Sequence, residues 1–288
     1  MESPANKLRS LLEDEKILLV PGCYDALSAK LIERAEFKAA FMSGFAVSGS
    51  LLALPDTGLI SYAELVAQGQ NICSAVSIPV CGDGDTGFGN AINVQRTVKG
   101  YARAGFASVM IEDQEHPKRC GHTRGKQVVS REEAFMRIQA AVDTRNTEDD
   151  ILIIARTDAR ATHGLEEALV RCQRFAEIGA DIIFLEAPET VEEMEIFCRE
   201  TRGYPMANML EGGRTPILSP EILQKIGYKL AAYPLVLMNA SIQALQAALQ
   251  QLNQGNMPDN CISFEEVRSV VGFEEYHQKE QQYKEIPK

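Results

Sequence analysis

Several short apolar runs in this chain end in residues that can do chemistry. One closes on Asp83-Gly84-Asp85, another on Glu112-Asp113-Gln114 and a third on Arg156-Thr157-Asp158, while Ser43-Gly44, Glu186 and Asn208 end three more. Carboxylates that converge on one mouth repel each other unless a cation sits among them. The donors are all oxygens, with no matching set of His and Cys, which suits Mg2+ with Mn2+ as a substitute and argues against zinc. Magnesium keeps most of its waters, so one or two carboxylates need touch it. Asp83 is the expected direct ligand, with Asp56, Asp85 and Glu112 holding the waters. A plainer role for Asp or Glu at a strand end is to cap the helix that follows. That role covers one or two of these residues, not four feeding one site.

The stretch from Asp83 to Asn90 carries Gly84, Gly87 and Gly89 ahead of a helical pattern, as a phosphate-binding loop would. It lacks the lysine and the spacing of the known nucleotide motifs. Its glycines instead let the backbone turn sharply beneath the carboxylates. Downstream, Pro117-Lys118-Arg119-Cys120-Gly121-His122 reads as a polar, basic, mobile loop. Positive neighbours favour a thiolate, so Cys120 is expected to have a lowered pKa and to serve in proton transfer or as a nucleophile. Cys23, Cys73, Cys81, Cys172, Cys198 and Cys261 read as small hydrophobes in packed positions.

These residues need a frame. Apolar or β-branched runs at 17–22, 38–44, 79–85, 108–114, 151–157, 181–187, 204–210 and 228–234 alternate with amphipathic helical segments such as 90–104 and 165–178. Eight evenly spaced β-α units with no dinucleotide fingerprint favour a (β/α)8 TIM-type barrel over an open doubly wound sheet. In such a barrel the C-terminal ends of the strands form the active-site face, which is where the polar residues fall. Residues 1–252 are expected to form the catalytic barrel, and 253–288 a C-terminal helical tail set off by Gly255 and Pro258.

The 288 residues, 45% hydrophobic, suffice for one large core. No apolar run reaches the ~18 residues of a membrane span, and the first nine residues are too polar for a signal peptide. Seven scattered cysteines do not make a disulfide framework, so a soluble cytoplasmic protein is expected. A formal net charge of −11 argues against nucleic acid and anionic membrane surfaces as partners. A small anionic substrate is still allowed, because a divalent cation and a few aimed arginines can reverse the local potential.

Taken in order, Ser43-Gly44, Pro55-Asp56, Asp83 to Asn90, Glu112-Asp113-Gln114, Lys118 to His122, Ala155 to Asp158 and Asn208 resemble the isocitrate lyase and phosphoenolpyruvate mutase superfamily. Arg124 to Gln127 and the run from Asn208 to Pro216 are most similar to its dimethylmalate lyase-like members. The resemblance implies that Ser43, Gly44 and Arg156, with Tyr24 beside them, grip the oxyacid end of a small dicarboxylic acid. It implies Mg2+ on Asp83 with Asp56, Asp85 and Glu112 outside its waters, and Cys120 as general acid/base on a gating loop that also carries Gly121 and His122. Glu186, Asn208 and Thr215 would position the leaving carboxylate. Pro234 would favour a substituted malate over oxaloacetate. Family members are tetramers, dimers of dimers that exchange a C-terminal helix, here the segment after Pro234.

The implied chemistry is a retro-aldol or retro-Claisen cleavage of a 2-hydroxy or 2-oxo dicarboxylate of the 2,3-dimethylmalate, 2-methylisocitrate or oxaloacetate type. A phosphonomutase of the carboxyvinyl-carboxyphosphonate type is the nearest rival, and mutases of the family lack the cysteine loop. A catalytically inactive barrel would show a damaged carboxylate set, and this set is whole.

Overall fold

The computed structural model describes residues 2–123, 125–147 and 150–284. Arg124 of the dimethylmalate lyase-like stretch and the last four residues of the expected tail lie outside them. Among the described residues are β1 (Leu18–Cys23), β2 (Ala40–Met42), β3 (Val80–Asp83), β4 (Ser108–Glu112), β5 (Leu152–Thr157), β6 (Ile182–Leu185), β7 (Tyr204–Asn208) and β8 (Leu230–Tyr233). They pair in chain order, all parallel, and β8 returns to β1 to close the barrel. Seven lie within the expected runs, and β1 extends one residue past its run, to Cys23.

Local signals set the helix ends. Asn90 caps Ala91–Ala104 by accepting from the backbone N–H groups of Ile92 and Asn93. The same helix stops at Gly105 with φ 97°, and Leu165–Ile178 stops at Gly179 with φ 108°, a left-handed conformation that costs glycine little. Inside the barrel, Val20, Phe41, Cys81, Met110, Ile154, Phe184, Met206 and Ala232 form one apolar cluster with Ala5, Leu8 and Leu12 of the helix Pro4–Glu13. That helix therefore closes the end opposite the polar strand termini. A second, larger cluster fills the space between strands and outer helices.

The chain divides into two compact units between Leu237 and Met238, earlier than the boundary at 252/253 expected from sequence. The helix Val236–Asn253 has no buried residue, although Leu237 still packs on the barrel core. Gly255 and Pro258 end an element, and the loss of burial that ends a unit comes before it. The second unit carries two further helices, Phe264–Val271 and Phe273–Lys284. No described helix is long and apolar enough to cross a membrane.

One packing detail supports the end of β3 directly. The Tyr101 hydroxyl donates to the Asp83 carbonyl at 2.5 Å, and the Tyr101 ring stacks on Phe106 with centroids 4.8 Å apart. Phe106 in turn fills the space above Gly69, where an added Cβ would come within 2.3 Å of its ring. Overpacking of this kind costs about 1–3 kcal/mol. Gly69→Ala should therefore lower the urea midpoint by a corresponding amount, and an unchanged midpoint would show that the aromatic pair yields freely.

Candidate active site

The register of the barrel sets the first contact. Glu112 on β4 lies beside Arg156 on β5, so carboxylate and guanidinium leave neighbouring strand ends together. Arg156 Nε is 3.3 Å from Glu112 Oε2, 2.8 Å from Asp158 Oδ2 and 3.6 Å from Glu186 Oε2. Burial works against the charge on Arg156, but these three carboxylates outweigh it and hold the guanidinium firmly protonated. Its planar face rests on the Phe184 ring at 5.4 Å.

Asp83 is held by backbone. Its Oδ2 accepts from the Gly44 N–H at 3.2 Å, and its Oδ1 accepts from the Asp85 N–H at 3.1 Å. Gly44 has to be glycine for this approach, since a Cβ there would lie 2.6 Å from Asp83 Oδ2. Asp85 follows with φ 48°, a left-handed conformation that Asp tolerates better than most residues. Strain of this sort gathers at functional sites.

Lys118 is buried with its ammonium 2.5 Å from Asp56 Oδ1 and 2.9 Å from Asp85 Oδ1. Both carboxylate oxygens have this ionic contact without a well-formed hydrogen bond. Burial, with Asp83 and Asp56 adding to it against Lys118, pushes the Asp85 carboxyl up to about 7. Burial also lifts Glu112 well above the usual carboxylate range despite Arg156. The mouth is therefore short of positive charge.

Among the described residues no group of three or more His, Cys, Asp or Glu closes tightly enough to hold a metal ion through side chains alone. Magnesium does not require such a cage. The buried Glu112 Oε1 has no hydrogen-bond partner among the described residues, and the set is all oxygen, so the donors fit a hydrated Mg2+ that shares carboxylates with Lys118.

The loop from Lys118 to Thr123 lies over this mouth. Gln114 brackets it, accepting from the Arg119 N–H at 2.9 Å and donating from Nε2 to the Arg119 carbonyl at 2.8 Å. His122 is engaged through both ring nitrogens: Nδ1 accepts from the Arg214 N–H at 3.0 Å, which places the proton on Nε2, 2.7 Å from Glu186 Oε1. Burial would raise the Glu186 carboxyl, but Arg156 and His122 outweigh it and hold it below its usual value.

The lowered pKa expected for Cys120 is overturned. Its thiol is pushed above the ordinary value, chiefly by burial, with Glu186 and Asp56 reinforcing that against the His122 backbone N–H and Arg156. The basic residues that flank it in sequence face elsewhere, Lys118 toward Asp56 and Asp85, and His122 toward Glu186. Adjacency along the chain did not become adjacency of charge.

One cavity brings together Ser43, Asp56, Asp83, Cys120, Gly121, His122, Arg156, Glu186, Asn208 and Pro234. Asp85 and Glu112 stand just behind it through Lys118 and Arg156. Gly44 reaches it through Asp83. Tyr24 and Thr215 do not line it; Tyr24 presents its carbonyl to Gln68, and the buried Thr215 hydroxyl has no hydrogen-bond partner among the described residues. Sequence reasoning missed the apolar share of the wall, Phe45, Met110, Phe184, Met206, Leu210 and Leu235, because apolar residues carry no chemical signal on their own. It also missed that Lys118 would face the carboxylates.

The family model described as phosphoenolpyruvate phosphomutase matches residues 8–253. The chain belongs to the phosphoenolpyruvate mutase/isocitrate lyase superfamily. It is 44% identical to a 2,3-dimethylmalate lyase of Eubacterium barkeri over 97% of this chain and 98% of that one. A chloroplastic carboxyvinyl-carboxyphosphonate phosphorylmutase of Arabidopsis thaliana is 42% identical over 97% and 85%. Among solved structures of the superfamily, an oxaloacetate acetylhydrolase in complex with 3,3-difluorooxalacetate superposes with a TM-score of 0.94 at 31% identity, covering 98% and 97% of the two chains. A phosphonopyruvate hydrolase in complex with oxalate and Mg++ superposes with a TM-score of 0.87 at 28% identity, covering 98% and 99%.

The thiol geometry sets an expected order of alkylation. The thiolate is the nucleophile, so a raised pKa and partial burial should make Cys120 slow toward iodoacetamide near neutral pH and faster as pH rises. The exposed Cys261 should be modified first. Peptide mass spectrometry over a time course reads the order, and Cys120 reacting ahead of Cys261 at neutral pH would contradict the assignment.

Proposed function

We propose that the protein cleaves the C2–C3 bond of a small 2-hydroxy or 2-oxo dicarboxylic acid in a retro-aldol or retro-Claisen reaction. The observation that carries this reading is Cys120, a thiol that lines the same cavity as Arg156 and Asp83 and whose pKa burial pushes up. Mg2+, or Mn2+ in its place, would sit on Asp83 with Asp56, Asp85 and Glu112 outside its waters, and would supply charge stabilisation for the 2-oxygen. The Mg++ and oxalate in the phosphonopyruvate hydrolase structure support that choice.

Arg156 and the Ser43-Gly44 backbone bind the oxyacid end, with Tyr24 outside the cavity wall supporting them. Glu186, Asn208 and His122 orient the departing carboxylate from the cavity wall, with Thr215 in a supporting role outside it and His122 acting as a fixed donor to Glu186. For a 2-hydroxy acid, the hydroxyl proton passes to the carboxylate set as the C2–C3 bond breaks and the electron pair stays on C3. Cys120 then delivers its proton to C3. A thiol with a raised pKa is loaded for that delivery at neutral pH. Phe45, Leu210, Pro234 and Leu235 keep water from the carbanion and offer apolar room for alkyl substituents, which favours a substituted malate.

The phosphonomutase reading has the Arabidopsis relative behind it. A phosphonate dianion needs several free cations, however, and Arg156 is already shared among three carboxylates while Lys118 serves two more. The chain would work as a soluble cytoplasmic enzyme.

Turnover should be tested with Mg2+ against 2,3-dimethylmalate, 2-methylisocitrate, isocitrate and oxaloacetate, reading the 2-oxo acid or oxalate released. Activity should be lost to EDTA, restored by Mg2+ and inhibited competitively by oxalate. Cys120→Ser should lower kcat by about 10²- to 10⁴-fold with oxalate affinity nearly intact, the loss expected when an acid/base group is removed. Near-normal cleavage by that variant, or full turnover after EDTA, would refute the mechanism.

The assembly we propose is a tetramer, a dimer of dimers exchanging the helix Val236–Asn253. That helix exposes Ile242, Leu245, Leu249 and Leu252, while the barrel carries an apolar groove lined by Leu19, Pro21, Leu31, Ile32 and Phe37. Light scattering should give four times the chain mass for the wild type, and the double variant Leu245→Asp with Leu249→Asp should give a smaller species. A monomeric wild type would exclude the exchange.

A further inference from the structure

Lys126 is a buried lysine that does not line the cavity and has no part in the mechanism above. A lysine is seldom fully buried unless its charge is paired. Its ammonium donates to the Gly121 carbonyl at 2.5 Å and to Asp158 Oδ1 at 2.7 Å. The first bond closes the turn that follows Cys120. The second ties that turn to β5, because the same Asp158 oxygen accepts from an Arg156 terminal nitrogen at 3.1 Å and the other oxygen from Arg156 Nε at 2.8 Å.

Asp158 is itself fixed. Its backbone N–H donates to Asp113 Oδ1 at 2.9 Å, and Asp113 Oδ2 is held by the Thr157 hydroxyl at 2.6 Å and by Arg171 at 2.9 Å. On the loop side, Gly121 sits so close that an added Cβ would lie 2.4 Å from an Arg156 terminal nitrogen and 2.6 Å from Glu186. One carboxylate therefore orients both the guanidinium that lines the cavity and the ammonium that seats the loop.

We propose that Lys126 is a positioning residue that latches the Cys120 loop onto Asp158, so that the thiol is brought to the cavity in register with Arg156. The lysine acts through Gly121 and touches neither substrate nor metal. Its removal frees the loop while Asp158 keeps Arg156, so the barrel frame should be unaffected.

Hydrogen exchange of the intact, ligand-free chain tests the latch without reference to any reaction. In Lys126→Met, the amides of residues 118–123 should exchange at least about tenfold faster, the scale of losing one charge-assisted hydrogen bond, with β4 to β6 unchanged. Lys126→Arg, which keeps charge and donors, should recover part of the protection. Lys126→Gln serves if methionine is not tolerated. Unchanged exchange in the loop would overturn the proposal, and so would equal loosening of β4 to β6 or failure of both neutral variants to fold, since each would make the lysine a support of the whole unit. The kinetic arm rests on the cleavage reading. For whichever acid is turned over, Lys126→Met should lower kcat by about tenfold to a hundredfold, the range expected of a misplaced catalytic group, with little change in KM. A KM effect alone would count against the latch. If none of the acids is turned over, the cleavage reading fails and the exchange result still decides the latch.

Discussion

The structure is organised around a surplus of carboxylates in a place with little water. Asp56, Asp83, Asp85, Glu112, Asp113, Asp158 and Glu186 are all buried near the C-terminal ends of the strands. A buried carboxylate must be paired, hydrogen-bonded or protonated. Arg156, Lys118, Lys126 and Arg171 meet part of that demand: Arg156 is shared by three carboxylates, Lys118 and Arg171 by two each, and Lys126 pairs with Asp158 alone. The remainder shows as carboxyls at Asp85, Glu112 and Asp113 held above their usual range, chiefly by burial.

The distribution of the cations separates two tasks. At Asp158 the pairing is complete; the two cations Arg156 and Lys126 overcome its burial and keep it well below the usual carboxylate range. That side is built to stay charged and fixed. Toward Lys118, Asp56 and Asp85 the pairing is loose, with carboxylate oxygens lacking hydrogen bonds. That side can exchange partners when a cation or an acid enters. Cys120 lies on the loop between them, and receives little positive field because its neighbours are committed to carboxylates.

The apolar wall of the cavity has a complementary effect. Phe41, Met110, Phe184, Met206 and Ala232 belong to the interior cluster of the barrel and also line the cavity, so the floor of the site is the top layer of the core. A floor packed in this way does not rearrange easily. It excludes water beneath the charged residues, which strengthens every interaction among them.

Much of this was legible in the chain itself. The eight strands, the barrel they imply and the strand-end carboxylates follow from hydrophobic periodicity and from the rule that such barrels place chemistry at their C-terminal face. Asp83, Arg156, Glu186 and Asn208 do converge, because each lies within one residue of the end of a strand and closure of the sheet leaves strand ends no other place to meet. What depends on side-chain direction was not legible. The raised thiol of Cys120, the commitment of Lys118 to Asp56 and Asp85, and the burial of Lys126 against Asp158 all depend on where long, flexible side chains turn once the loop has folded back. Residue type and spacing determine which groups arrive at the mouth of a barrel. Which charge neutralises which is decided only by tertiary structure, since electrostatic energy depends on distances and local dielectric that the order of residues does not contain.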